Sequence, residues 1–415
     1  MGVDGVRLSE GAYGKAWLER FDSSESQMIA RLMDRMLLVS RESFSSGMRL
    51  LLDQVATAEA GHDVKLAVYA ERPTKKVFGI IPAYFKDSRS GRAEGGGRPP
   101  IEVDPRKQEV GSEGIVAQLI TAYSRAHPDH AFSHPGPSKM RKEKVRKIVI
   151  VTDFVGSGTR IFDMLESFRY VATLRSWRSY GLLSFVVLAY SGMPFGLDRL
   201  RRHKLKPDVR IFTGCPTIDA PFKRSDHTAI LDLLRRYPPG HPYPFGWDGG
   251  WAGSGALIAF AHGCPNNVPP IFHSRAGGWR PLFPGRTTEV VVDDFPIDAD
   301  EVVEQRSKDM LNILNARQAL SSLESRRWIG TMLVLKAIAE GARSVEEVSA
   351  PTGLGIGEVK TIVGFAKVAL WLNDRGNLTK LGLQELARLR RRGRRKPVLP
   401  NANQPFYYPT QLRVL

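Results

Sequence analysis

The chain has 415 residues, 42% of them hydrophobic, with 60 Lys and Arg against 43 Asp and Glu, a formal net charge of +17. That length buries a sizeable core and points to a globular protein of about two or three domains. The longest largely apolar run, Leu182 to Tyr190, falls far short of the ~20 residues that span a bilayer, and MGVDGVRLSE lacks the apolar stretch of a signal peptide. No membrane role and a cytoplasmic location are expected. The 2 cysteines, Cys215 and Cys264, are too few for a disulfide framework. So basic a surface attracts polyanions. Downstream of Glu385 there is no acid, while Arg388, Arg390, Arg391, Arg392, Arg394, Arg395, Lys396 and Arg413 are all positive, and KMRKEKVRK (139–147) forms a second cluster. Each serves equally well as a solvated basic surface or as a phosphate contact.

In chain order, residues 24–58 read as two helices, with Met28, Ile29, Leu32, Met36 and Leu37 and then Phe44, Met48, Leu51, Leu52 and Val55 at helical spacing. VKLAVYA (64–70) and VFGIIP (77–82) read as short strands around a turn at Arg72 and Pro73. KDSRSGRAEGGGRPP reads as a mobile loop and GSEGIVAQLITAYSRAH as a helix. The strand at 147–152 is followed by a helix with Ile161, Met164, Leu165 and Phe168 on its apolar face. LLSFVVLAY and DVRIFTG are further buried strands, and HTAILDLLRRY is helical. Continuous apolar strands alternating with helices predict a mostly parallel sheet covered on both faces. Residues 237–286, dense in Pro, Gly and aromatics, read as irregular walls over a site. Beyond Asp298 comes a connector, then helix RRWIGTMLVLKAIAEG, a second helix opened by a capping box from Ser344 to Glu347, a Gly-rich turn, a third helix IGEVKTIVGFAKVALW, a hairpin at LNDRGNLT and a closing helix. That order is a winged helix-turn-helix.

The stretch VTDFVGSGTR (151–160) ends a buried strand on a carboxylate and then strips away its side chains. A Gly-rich turn at the carboxyl end of a parallel strand exposes amides that favour a phosphate, so Gly156 and Gly158 leave room for an anion and the Ser157 and Thr159 hydroxyls can donate to it. Asp153 suits a neighbouring sugar, since a carboxylate accepts from two adjacent hydroxyls. Strand, acid and loop together predict a sugar phosphate as ligand.

IVIVTDFVGSGTR resembles the phosphoribosyl pyrophosphate loop of type I phosphoribosyltransferases, with Thr152 and Asp153 in the place of the acidic pair and Gly156, Ser157, Gly158, Thr159 and Arg160 around the 5′-phosphate. CPNNVPPIF followed by GGWRPLFPG is similar to the late element of phosphoribosyltransferase-like proteins of bacterial anti-phage loci, including those that accompany retron reverse transcriptases. The resemblance covers roughly residues 20–295. It implies an α/β fold, a type I phosphoribosyltransferase-like parallel sheet flanked by helices, with a C-terminal winged helix-turn-helix. The expected division is 1–60 N-terminal helices packing on the core, 61–296 phosphoribosyltransferase-like domain, 297–325 connector, 326–392 winged helix and 393–415 basic tail.

The loop departs from the family at Thr152, which stands where the first acid is expected, and at Arg160, which stands where a Thr is. Thr152 can bond a ribose hydroxyl but brings no charge, and Arg160 can clasp the phosphate. Binding is therefore better supported than turnover. Any reaction would be displacement at the anomeric carbon, as a phosphoribosyl transfer or glycosidic-bond cleavage, with Asp153 as the catalytic residue and a ligand-bound Mg²⁺. Asn266 and Asn267 either read a base or cap a turn. His127, His130 and His134 lack a Cys or acid at ligand spacing, His262, Cys264 and His273 gain nothing from context, and Trp247, Trp251 and Trp279 suit wall packing. In the winged helix, Lys360 and Lys367 are sparse for base readout, so backbone contact by Arg390, Arg391 and Arg392 is favoured. The implied partners are DNA or a reverse-transcribed DNA–RNA hybrid, a reverse transcriptase and a phosphoribosyl or nucleotide ligand; an oligomer is compatible with all of them. The rival is a winged-helix transcriptional regulator that senses phosphoribosyl pyrophosphate without reacting it.

Overall fold

The computed structural model describes residues 7–57, 64–88, 91–97, 99, 112–219, 224–238, 247–296, 299–313, 320 and 323–392. Helices α1 (Ala12–Leu18) and α2 (Ser23–Arg35) lead into strand β1 (Leu37–Val39) and helix α3 (Arg41–Ala56). Asp22 caps α2 by accepting from the Ser24 and Glu25 amides, and Ser40 caps α3 by accepting from Ser43. The two expected helices are present, but the apolar stretch between them breaks into β1, a strand too short to display its own period.

The α/β core then runs β2 (Leu66–Ala70), α4 (Ser112–Ala126), β3 (Ala131–Ser133), α5 (Pro137–Glu143), β4 (Lys147–Val155), α6 (Thr159–Arg169), α7 (Ala172–Ser179), β5 (Ser184–Gly192), α8 (Pro194–Arg201), β6 (Asp208–Ile211) and α9 (Arg224–Arg236). All strands of the five-stranded sheet pair in parallel, in the order β3-β2-β4-β5-β6. Alternate residues bury against opposite layers, as a sheet covered on both faces requires. Val68, Val149, Val151, Leu188 and Tyr190 face a core built with α3 and α4. Tyr69, Ile148, Ile150, Val187 and Ala189 face a second core built with α6, α7 and α8.

Three expectations need correction. Residues 77–82 are not a strand: Val77 and Ile80 exchange amide–carbonyl bonds of 2.9 Å around a tight turn, and Phe78 at its tip is 98% exposed. The stretch expected as a mobile loop falls partly outside the described residues, but its Ala93 is buried and donates its amide to Thr173 Oγ1 at 2.8 Å. The segment expected to be wholly irregular contains strand β7 (Ile258–Phe260), which pairs in parallel with β1 to form a small second sheet. These elements, with the turns that follow, build a hood over the main sheet. Trp279 packs there against Trp17, Phe21 and Tyr237, in the wall role expected of it.

Helices α10 (Ala299–Leu311), α11 (Leu323–Ala339), α12 (Val345–Thr352), α13 (Ile356–Val368) and α14 (Lys380–Arg392) complete the chain's described elements. Ser344 and Glu347 form the expected capping box. Gly353 turns α12 into α13 at a φ of +70°, and the wing closes through Leu372 and Leu378, with Asn373 N donating to Asn377 O at 2.9 Å. Val303 of α10 joins Met332, Leu333, Val359 and Ile362 in one core. The winged helix is docked on the α/β domain rather than tethered beside it. Buried Ser349 accepts from the Gly214 amide at 3.1 Å and lies 3.0 Å from Thr213 Oγ1, while the Ile356 amide donates to Phe212 O at 2.8 Å. Among the described residues no helix is long and apolar enough to cross a membrane.

Candidate ligand site at the strand switch point

From β2 the chain moves outward to β3, then returns to β4 and builds in the other direction. In such sheets the crevice for ligands lies outside the carboxyl ends of the strands where the order reverses, here between β2 and β4. Ala70 is in register with Val151, and the Glu71 amide prolongs the pairing by donating to Val151 O at 2.8 Å. The buried Thr152 hydroxyl donates to Glu71 Oε2 at 2.5 Å. His134 braces this end of β2, since its Nε2 accepts from the Ala70 amide at 2.9 Å, and burial pushes the imidazole down to about 4, so it is neutral at pH 7. It is a structural histidine.

Burial pushes the Glu71 carboxyl up from 4.5 to about 7, opposed by the Thr152 hydrogen bond and by Arg160. The folded protein therefore keeps a proton that the unfolded chain has released, and stability falls as pH rises through that window. Glu71→Gln is expected to flatten this dependence, leaving the variant more stable relative to the parent at pH 8 than at pH 5. Urea denaturation midpoints at the two pH values check it; parallel shifts in both proteins would contradict the assignment.

Asp153, one residue on, is held from two sides. The Phe154 amide donates to Oδ1 at 2.8 Å, and His262 Nε2 donates to Oδ2 at 3.1 Å. The His262 ring stacks on Phe260 at 5.1 Å and meets Phe44 edge-on at 5.4 Å, so the β1–β7 hood and α3 fix its direction. The loop Gly156–Ser157–Gly158 then enters α6. Gly158 is its N-cap with a φ of +69°, where a side chain would be strained and would also meet Gly196 O at 2.9 Å. The first amides of a helix lack intrahelical partners and point at whatever lies beyond its N-terminus. The Ser157 hydroxyl donates to Thr159 Oγ1 at 3.0 Å and accepts from the Thr159 amide at 3.2 Å, and Arg199 of α8 donates to Thr159 Oγ1 at 2.8 Å. Arg160 is exposed and pairs with Glu113 at 3.3 Å.

Thr152, Asp153, Gly156, Ser157, Gly158, Thr159 and Arg160 are thus gathered at one strand end. Asn267 lies against the loop itself. It is buried, its amide donates to Ser254 Oγ at 3.0 Å, and a Cβ on Gly156 would lie 2.3 Å from its Oδ1, so Gly156 also makes room for the hood. Asn266 is exposed, and its carbonyl accepts from the Trp251 amide at 3.0 Å. In the winged helix Lys360 is exposed, but Lys367 donates to the wing's Asp374 O at 3.0 Å. Arg390, Arg391 and Arg392 close α14, and their side chains lie outside the described residues, as does the tail beyond them.

A family model described as PRTase-CE matches residues 125–284, and one described as wHTH-PRTase associated matches residues 332–414. The chain joins a PRTase-like domain to a C-terminal winged helix. No curated protein and no solved structure matches it significantly. Within the PRTase-like domain, sequence reasoning missed Glu71, Arg199 and the pairing of His262 with Asp153. Glu71 did leave a signal: it is an acid that directly follows a buried apolar run. His262 and Arg199 left none, because each reaches the site from a distant segment.

Proposed function

We propose that the PRTase-like domain binds a phosphoribosyl or nucleotide ligand at the β2–β4 switch point, as an effector of a bacterial anti-phage system of the retron type. The observation that carries the reading is the convergence of Asp153, the Gly156–Thr159 loop and two arginines, Arg160 and Arg199, at one strand end. The loop amides would hold the 5′-phosphate and Asp153 the ribose hydroxyls. If the ligand reacts, the bond from the anomeric carbon to pyrophosphate or a base breaks, and Asp153, oriented by His262, offsets positive charge developing on the sugar. Magnesium would come on the ligand's phosphates and neutralise the leaving group.

Nucleic acid would be met by phosphate contact rather than base reading. Winged-helix readers usually place the N-terminal residues of the recognition helix in the major groove. Here the first amide of α13 is bonded to Phe212, while Arg375 in the wing and Lys380 are exposed. A reverse transcriptase and its DNA–RNA product fit this role as partners. A transcriptional regulator that senses phosphoribosyl pyrophosphate is the second reading, favoured by the docking of the winged helix on the strand edge of the same domain.

Titration calorimetry with phosphoribosyl pyrophosphate tests the site. Ser157→Trp fills the cradle and is expected to weaken binding by more than about 100-fold, which erases a micromolar signal. Equal binding by parent and variant would move the ligand elsewhere. Product formation from phosphoribosyl pyrophosphate, NAD or nucleotides would favour the effector; binding without product would favour the sensor.

A further inference from the structure

We infer that the acidic pair of this site is split between two neighbouring chain segments, Glu71 at the end of β2 standing in for the carboxylate missing at Thr152 and sharing the ribose hydroxyls with Asp153. The inference rests on the ligand reading above and assigns a residue that the loop motif does not contain. In the loop the first acidic position is Thr152, which brings no charge. The chain path nevertheless brings Glu71 beside it, because Ala70 pairs with Val151 and the Glu71 amide, just past the end of β2, donates to Val151 O at 2.8 Å. Neighbouring parallel strands lie about 4.8 Å apart, so register partners project on the same side and a Glu reaches its neighbour's side-chain oxygen. Thr152 Oγ1 lies 2.5 Å from Glu71 Oε2 and 3.3 Å from Asp153 Oδ1, so its nearer carboxylate partner is Glu71. A hydroxyl that donates inward keeps its lone pairs to accept from a ribose hydroxyl, so Thr152 relays the sugar's proton donor to Glu71.

The surroundings agree. Asp153 on β4 and Glu113 on α4 raise the Glu71 carboxyl electrostatically, Arg160 on α6 opposes them, and burial is the largest influence. A carboxyl in such a place is a burden to the fold, and Gln would fill the same volume with less penalty. Donors from a bound sugar would relieve that burden. A residue serving the fold alone and a residue serving a ligand therefore differ in sign: replacing the first loses stability, while replacing the second loses binding only.

The test moves the charge back to the loop. Glu71→Gln is expected to reduce affinity for phosphoribosyl pyrophosphate about 10-fold or more, with no loss of thermal stability at pH 8. In Glu71→Gln/Thr152→Asp the amide at 71 donates to a carboxylate at 152, reversing the donor and acceptor, and affinity should return to within a few-fold of the parent. Calorimetry on the full chain reads both. Parent-like binding by Glu71→Gln, or a double variant no better than the single one, would overturn the split pair and leave the ligand reading standing. Absence of binding by the parent itself would overturn both.

Discussion

Asp153→Asn is expected to lower affinity for phosphoribosyl pyrophosphate about 100-fold while leaving the fold intact, because two hydrogen bonds from ribose to a charged acceptor are each worth about 1.5–3 kcal/mol. The substitution keeps the size of the side chain and an oxygen for the Phe154 amide, whose bond to Oδ1 is 2.8 Å long. On the other side, the new amide group can donate to His262 Nε2 once the imidazole takes its other tautomer, so the contact now 3.1 Å long is reversed rather than lost. The thermal midpoint should move by only a few degrees. Calorimetry and a melting curve on the same sample separate the two effects. A large fall in melting temperature with unchanged affinity would make Asp153 a structural acid, and the charge in the site would have to come from elsewhere.

Gly214→Val is expected to pull the winged helix off the α/β domain. A Cβ at this glycine would lie 2.2 Å from the Glu346 carbonyl oxygen and 3.1 Å from the Ala350 amide, both backbone atoms of α12 that cannot swing aside. The helix must withdraw, and with it go the bonds from the Gly214 amide to Ser349 and from the Ile356 amide to Phe212. Hydrogen exchange should then quicken by orders of magnitude at Gly214 and Ile356, since their protection comes only from the interface, while β4 and β5 stay protected inside the sheet. Each body keeps its own core, so far-UV circular dichroism should barely change. Slow exchange at both amides in the variant would mean that the interface tolerates the methyl groups by another route. If ligand affinity also shifts on undocking, occupancy of the crevice and the pose of the winged helix are coupled, as the sensor reading requires.

Much of this protein could be read from residue order because it depends on local chemistry. The run Ile148–Val151 must be buried on both faces, the glycines from Gly156 on must end the strand, and Ser344 with Glu347 must open a helix. Each of these follows from side chains within a few positions of one another. The pairing of Phe154 and Val155 with β5, which carries β4 past Asp153, is not local and goes beyond the end expected at 152. Strand β7 escaped notice for the same reason. Ile258–Phe260 is a strand only because Leu37–Val39 lies beside it, and three residues carry no period. The tip at Phe78 is exposed although its run is apolar, because an apolar run is buried only when something arrives to cover it.

The site divides in the same way. Asp153, Ser157, Gly158 and Thr159 declare themselves through spacing, since the loop and the first turn of α6 are built from consecutive residues. The order of the strands, by contrast, is a tertiary choice that sets Glu71 against Thr152, and the pairing of β7 with β1 lowers His262 onto Asp153 from 109 residues away. Contacts across such separations depend on which surfaces are buried together, and burial is a property of the assembled core rather than of any segment within it.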